Sequence, residues 1–104
     1  MPNERPSRDT EIADRPEREI RHSPLFRVVL HNDDYTTMDF VVSVLESVFL
    51  LHPAEAYRVM MQVHCHGRGA AGVYPHEIAE TKVGLVHGLA RERGFPLRAS
   101  IEAV

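Results

Sequence analysis

The chain has 104 residues, 43% of them apolar, a formal charge of -3 at pH 7 and one cysteine, Cys65. This length accommodates one domain, and an ordered part of about 80 residues buries only about 60–65% of its unfolded surface, so any site should be shallow. The acidic balance argues against general nucleic-acid binding, the lone cysteine excludes an internal disulfide and suits a reducing compartment, and no segment approaches the roughly 18 apolar residues of a membrane span.

The start of the chain is charged and proline-bearing, without the apolar core of a secretory signal, so a cytoplasmic protein is expected. Residues 1–24 hold four of the seven prolines and few apolar side chains. Such a stretch cannot offset its ordering entropy by burial and reads as a disordered arm, leaving 25–104 as the folded domain. Phe26-Arg27-Val28-Val29-Leu30 is β-prone, with Phe26, Val28 and Leu30 on one face. The turn Asn32-Asp33-Asp34 follows. Thr36-Thr37-Met38-Asp39 reads as a capping box with Asp39 in the place of Glu or Gln. It opens a helix in which Met38, Val41, Val42, Leu45, Val48 and Phe49 keep helical spacing through to Leu51. His52-Pro53 breaks that helix, and Pro53 suits the first turn of the next.

In the second helix Ala56, Val59, Met60 and Val63 form one stripe, and His64 lies a turn beyond Met60. Gly67, Gly69 and Gly72 then interrupt the chain ahead of a short strand over 71–74, which Pro75 ends. A third helix is predicted over 77–93, turning Ile78, Ala79, Val83, Val86, Leu89 and Ala90 inward and closing on Gly94. Leu97-Arg98-Ala99-Ser100-Ile101-Glu102 alternates as a half-exposed strand should. The order β-α-α-β-α-β predicts an α+β fold: a small antiparallel-type three-stranded sheet covered on one face by three helices.

Several residues could carry chemistry. Asn32, Asp33 and Asp34 favour turns and caps, yet three adjacent acceptors exceed what a turn needs and could hold a cation. Calcium is a poor candidate, because the loop lacks further ligands at the EF-hand spacing. His64-Cys65-His66 invites a zinc reading, but zinc ligands come as spaced pairs, and a second pair would have to be improvised from His76, His31 or the aspartates. A small metal-binding protein using His64, His66, Asp33 and Asp34 is therefore the alternative function. His64 also continues the Met60/Val63 stripe, where a histidine is commonly a core or rim residue. Met38, Val41, Met60 and Val63 read most simply as core, although methionine adapts well to lining a pocket for several large side chains. Glu77, Glu80 and Thr81 fall on neighbouring turns of the third helix, as either a solvated face or a docking face.

With these residues placed, the chain resembles the ClpS family, adaptors of the bacterial N-degron pathway. The resemblance rests on Asn32-Asp33-Asp34-Tyr35-Thr36, Met38-Asp39-Phe40-Val41, Met60-Met61-Gln62-Val63-His64, Gly72-Val73-Tyr74, Ile78-Ala79-Glu80-Thr81-Lys82-Val83 and Pro96-Leu97, in that order. It implies a monomeric recognition module without catalysis, cofactor or metal, and without affinity for nucleic acid or membrane. Its partners would be N-degron proteins or peptides beginning with Leu, Phe, Tyr or Trp, and the N-terminal domain of the ClpA-type unfoldase of the ClpAP protease. By the family pattern Asn32 and His64 bond the free α-amino group, with Asp33 and Asp34 adding negative charge. Leu30, Thr36, Met38, Val41, Met60, Val63 and Leu97 line the side-chain pocket, with Met38 as the gate against β-branched residues. Glu77, Glu80 and Lys82 lie on the unfoldase-docking surface. Two departures bear on the site: His31 stands where an aliphatic residue is common, and Thr37 replaces the usual proline.

Overall fold

Alternation in the segment Leu25–His31 builds β1, the middle strand of a three-stranded antiparallel sheet of order β2-β1-β3. The computed structural model describes residues 23–104, so the expected arm lies outside the described residues except for Ser23 and Pro24. Val28 and Leu30 are fully buried on one face of β1, with Phe26 packed beside them. The flanking strands are β2 (Arg68–Pro75) and β3 (Arg98–Ala103). Three helices, α1 (Met38–Ser47), α2 (Pro53–His66) and α3 (His76–Arg93), complete the predicted β-α-α-β-α-β order. Their buried side chains join Val28, Leu30, Ala71 and Ala99 of the sheet in one apolar cluster. Each Leu or Val so buried contributes about 1.5–3 kcal/mol.

The first helix departs from its expected limits at both ends. Its cap is Thr37, whose hydroxyl accepts from the Phe40 amide at 3.1 Å, one residue later than the capping box predicted. Thr36 instead faces back into the turn, its hydroxyl donating to Asp33. The helix stops at Ser47 rather than Leu51. Leu50 takes a left-handed φ of 56°, and the Leu51 amide turns back to the Leu45 carbonyl at 3.1 Å. A leucine in that conformation costs about 1–2 kcal/mol, and its side chain is left in solvent.

The second helix matches its predicted stripe, with Ala56, Val59, Met60 and Val63 all buried. Gly67 ends it at φ 88°, its amide donating to the Val63 carbonyl. Strand β2 then starts at once, three residues before its expected position at Ala71. The glycines interrupted the β pattern without preventing pairing. Gly69 faces α2, and the β1 register jumps from Gly72 to Ala70, so Ala71 is an extra residue in a bulge. On α3 the buried residues are Ala79, Val86 and Ala90, while Ile78, expected inside, is 46% exposed. Ile78 adjoins Ala79 in sequence, and one residue turns the helix by about 100°, which carries it off the buried stripe and onto the flank. Gly94 closes α3 at φ 77°, and Phe95 packs its ring 5.0 Å from Phe40.

Candidate functional site

One backbone bond assembles the site. The Asn32 amide, just past the end of β1, donates to the Gly67 carbonyl at 2.9 Å, just past the end of α2. The acidic turn is thereby held beside His64, in the last turn of α2. Within the turn, Asp33 is the fastener. Its carboxylate accepts from the Tyr35 amide at 2.8 Å, the Thr36 amide at 2.7 Å and the Thr36 hydroxyl at 2.8 Å. Burial pushes this carboxyl up, but the bonds from Thr36 and Tyr35 outweigh it and hold its pKa below the ordinary aspartate value. A depressed carboxylate stabilises the fold above its unfolded pKa, and that contribution is lost as pH falls through the folded value. Asp33→Ala should therefore cost about 0.5–2 kcal/mol at pH 7, by analogy with other Asp-to-backbone caps. In thermal melts the gap from wild type should narrow once the pH drops below the usual aspartate range. A gap independent of pH would mean that the ionised form is not what closes the turn.

The turn, α1 and α2 enclose an open cavity of about 250 Å³. Its polar end is made by Asn32, Asp33, Asp34, Thr36 and His64, and its apolar end by Met38, Val41, Met60 and Val63. Val41, Met60 and Val63 are almost fully buried, whereas Met38 is 43% exposed at the mouth. The helical period explains the wall: residues three apart on α1 and three or four apart on α2 share a face. Leu30 and Leu97, expected in the pocket, do not line it. Both are buried in the core, Leu30 because it lies on the helix-covered face of the central strand and Leu97 because it leads into β3 beside Ala99. A cavity below the usual 300–1,000 Å³ of small-molecule sites suits one amino-acid side chain with its amine. The polar end offers acceptors to a cationic group, and the apolar end offers it no competing partner.

Gly69 supports the wall from behind. A Cβ there would stand 2.9 Å from Val63 Cγ2 and 3.2 Å from the Val59 carbonyl oxygen. Gly69→Ala should push Val63 into the cavity and cost about 1–3 kcal/mol through overpacking. A melt and a ligand titration on the same variant would report both effects, and unchanged ligand affinity would show that Val63 does not move.

Elsewhere, Glu77 and Glu80 are exposed on α3, with Glu80 Oε1 3.8 Å from His76 Nδ1. Lys82 is half-buried instead. Its Nζ donates to the Val48 carbonyl at 2.7 Å and stands 5.5 Å from the Tyr74 ring centre, capping the C-terminus of α1. Cys65 is exposed, and His66 is not in the cavity wall. Among the described residues no three His, Cys, Asp or Glu side chains are grouped to hold a metal ion. Nor is any helix among them long and apolar enough to cross a membrane. Sequence reasoning missed the polar contacts made by His31 and His87. His31 Nε2 is 2.6 Å from Ser100 Oγ, and His87 Nε2 accepts from the Ala99 amide at 3.0 Å. The strand alternation could have paired His31 with the outer face of β3, whereas nothing local pointed from His87 to Ala99.

Fold and cavity together define a small recognition domain with a groove that is polar at one end and apolar at the other. The family model for the ATP-dependent Clp protease adaptor protein ClpS matches residues 21–100. The chain belongs to the ClpS family, whose members are adaptors of the Clp protease and not proteases themselves. It is 57% identical over 97 residues to the ClpS adapter protein of Nitratidesulfovibrio vulgaris (Miyazaki F), covering 93% of this chain and 95% of that one. It is 54% identical over 84 residues to the ClpS adapter protein of Desulfotalea psychrophila, covering 81% of this chain and 82% of that one. The structure of Agrobacterium tumefaciens ClpS2 bound to L-phenylalaninamide superposes with a TM-score of 0.77 at 40% identity, covering 80% of this chain and all of that one.

Proposed function

We propose that this chain binds proteins by a first residue Leu, Phe, Tyr or Trp together with its free α-amino group, and delivers them to a ClpA-type unfoldase. The observation that carries the reading is the division of the groove into an acceptor-rich end and an apolar end. L-phenylalaninamide, the ligand of the ClpS2 relative, has the two features those ends complement: an ammonium and a large apolar side chain. Asn32 and His64 would bond the ammonium, with Asp34 adding charge and Asp33 holding the turn. Met38, Val41, Met60 and Val63 would surround the side chain, and Met38 at the mouth would meet the branch of a Val or Ile. Burying one Leu side chain is worth about 1.5–3 kcal/mol, too little alone for tight binding. Charge-assisted bonds to the ammonium add roughly 1.5–3 kcal/mol each and restrict recognition to a true N-terminus. Glu77 and Glu80 would meet the unfoldase's N-terminal domain, with Lys82 shaping that surface through its hold on α1.

The test is fluorescence anisotropy with a labelled peptide beginning with Leu, beside the same peptide beginning with Val. Tight binding of the first and weak binding of the second is expected. Equal binding to both, or to neither, would sink the reading.

A further inference from the structure

The face of the sheet turned away from the helices has its own chemistry. Strand pairing sets its outward side chains in rows: Arg68, His31 and Arg98, then Ala70, Val29 and Ser100, then Val73, Arg27 and Glu102. Arg68 starts in the first row on one edge strand, and Nη2 ends 2.7 Å from Glu102 Oε2, in the third row on the other edge. Its side chain therefore crosses β1 diagonally at Val29. The same Glu102 oxygen takes Arg27 Nη1 at 3.0 Å. Val29 is consequently 1% exposed although it lies outside the helix-covered core, roofed by arginine stems.

Arg27 and Arg68 share the Glu102 carboxylate, and a third arginine stands on the same face, in a chain whose formal charge is -3. Arg98 is exposed and has no carboxylate partner among the described residues. His31 registers the local field. Burial first, then the charges of Arg98 and Arg68, lower its pKa against the opposing pull of Glu102.

This first row, with Arg98 as its free cation among the described residues, adjoins the groove. His31 directly precedes Asn32, and Arg68 directly follows Gly67, whose carbonyl holds the Asn32 amide. The carbonyl of a bound first residue is attached to the same carbon as its amine, so the rest of the peptide leaves from the polar end. At about 3.3–3.6 Å per residue it reaches the row within a few residues. An acidic second residue would still face Asp33 and Asp34, so complementarity begins further along.

We propose that Arg98, the cation of this face without a carboxylate partner among the described residues, is a secondary subsite for acidic side chains at the third to fifth positions of a bound protein. The inference rests on terminal-residue binding in the groove and adds a preference which that reading lacks. It selects among proteins that share a first residue, and it does so through charges outside the apolar pocket.

The test uses three labelled peptides with a common leading Leu and second residue, carrying glutamate, glutamine or lysine at positions three to five. Each is titrated against the full chain in low and high salt. The glutamate peptide should bind about three- to tenfold more tightly than the glutamine peptide at low salt, with the margin shrinking in high salt. Arg98→Gln should remove much of that margin while leaving the glutamine peptide unaffected. Arg98→Glu should shift the preference towards lysine even if Arg68 variants prove unstable. A glutamate peptide no tighter than the glutamine one, or a margin that survives both Arg98 variants, would overturn the subsite and leave the groove reading intact. No binding by any of the peptides would sink both.

Discussion

Acetylating the first residue of a Leu-initiated peptide should weaken its binding to this chain by about a hundredfold or more. Acetylation removes the positive charge and two of the three amine protons while leaving the side chain unchanged. The loss expected is that of two charge-assisted bonds of roughly 1.5–3 kcal/mol each. The carboxylates of the polar end gain nothing from a neutral amide, with Asp34 exposed and Asp33 already engaged by Tyr35 and Thr36. Asn32→Ala and His64→Ala should each reproduce part of the loss, and each should blunt the effect of acetylation, since the bond in question is already gone. Titrating the two peptides against wild type and both variants completes the cycle. Wild-type affinity that ignores acetylation would rule out the ammonium as the group recognised.

Leu45→Ala should be the most destabilising of the changes considered. Leu45 is fully buried on α1, and its carbonyl receives the Leu51 amide that turns the chain after the helix. Cavity-forming Leu→Ala changes cost about 2–5 kcal/mol. A domain of about 80 residues has a total stability of about 4–12 kcal/mol, so half of it is at stake. In a domain this small each kcal/mol moves Tm by about 4–8 °C, and a fall of about 8–40 °C is expected by circular dichroism. A fall under about 5 °C would show that α1 can close over the gap.

What could be read without coordinates followed periodicity. The alternation through Val28 and Leu30 and the four-residue stripe on α2 are enforced by burial, and they appear as predicted. Competition among neighbouring polar groups was harder to read. Thr36 and Thr37 are both good caps, and only the turn reveals that Asp33 claims the first and leaves the helix to the second. Backbone exceptions were hidden as well. Leu50 occupies a conformation usually given to glycine, and the glycines of β2 mark a bulge and a close approach where a break was expected. The groove shows the same division. Its wall on α1 and α2 follows from helical spacing, but spacing could not tell that Leu30 and Leu97 face the core instead.

The bond from Asn32 to Gly67 makes the groove a joint between segments far apart in the chain. Neither the acidic turn nor the end of α2 forms half a site that works alone. Occupancy and integrity of the fold are therefore thermodynamically linked: a ligand that grips both sides raises the melting temperature, and the gain grows with the logarithm of ligand concentration above its Kd. The converse applies to mechanical load. A pull that peels β1 from β2 would part the two halves of the groove, so any bound ligand would be let go as the domain begins to come undone.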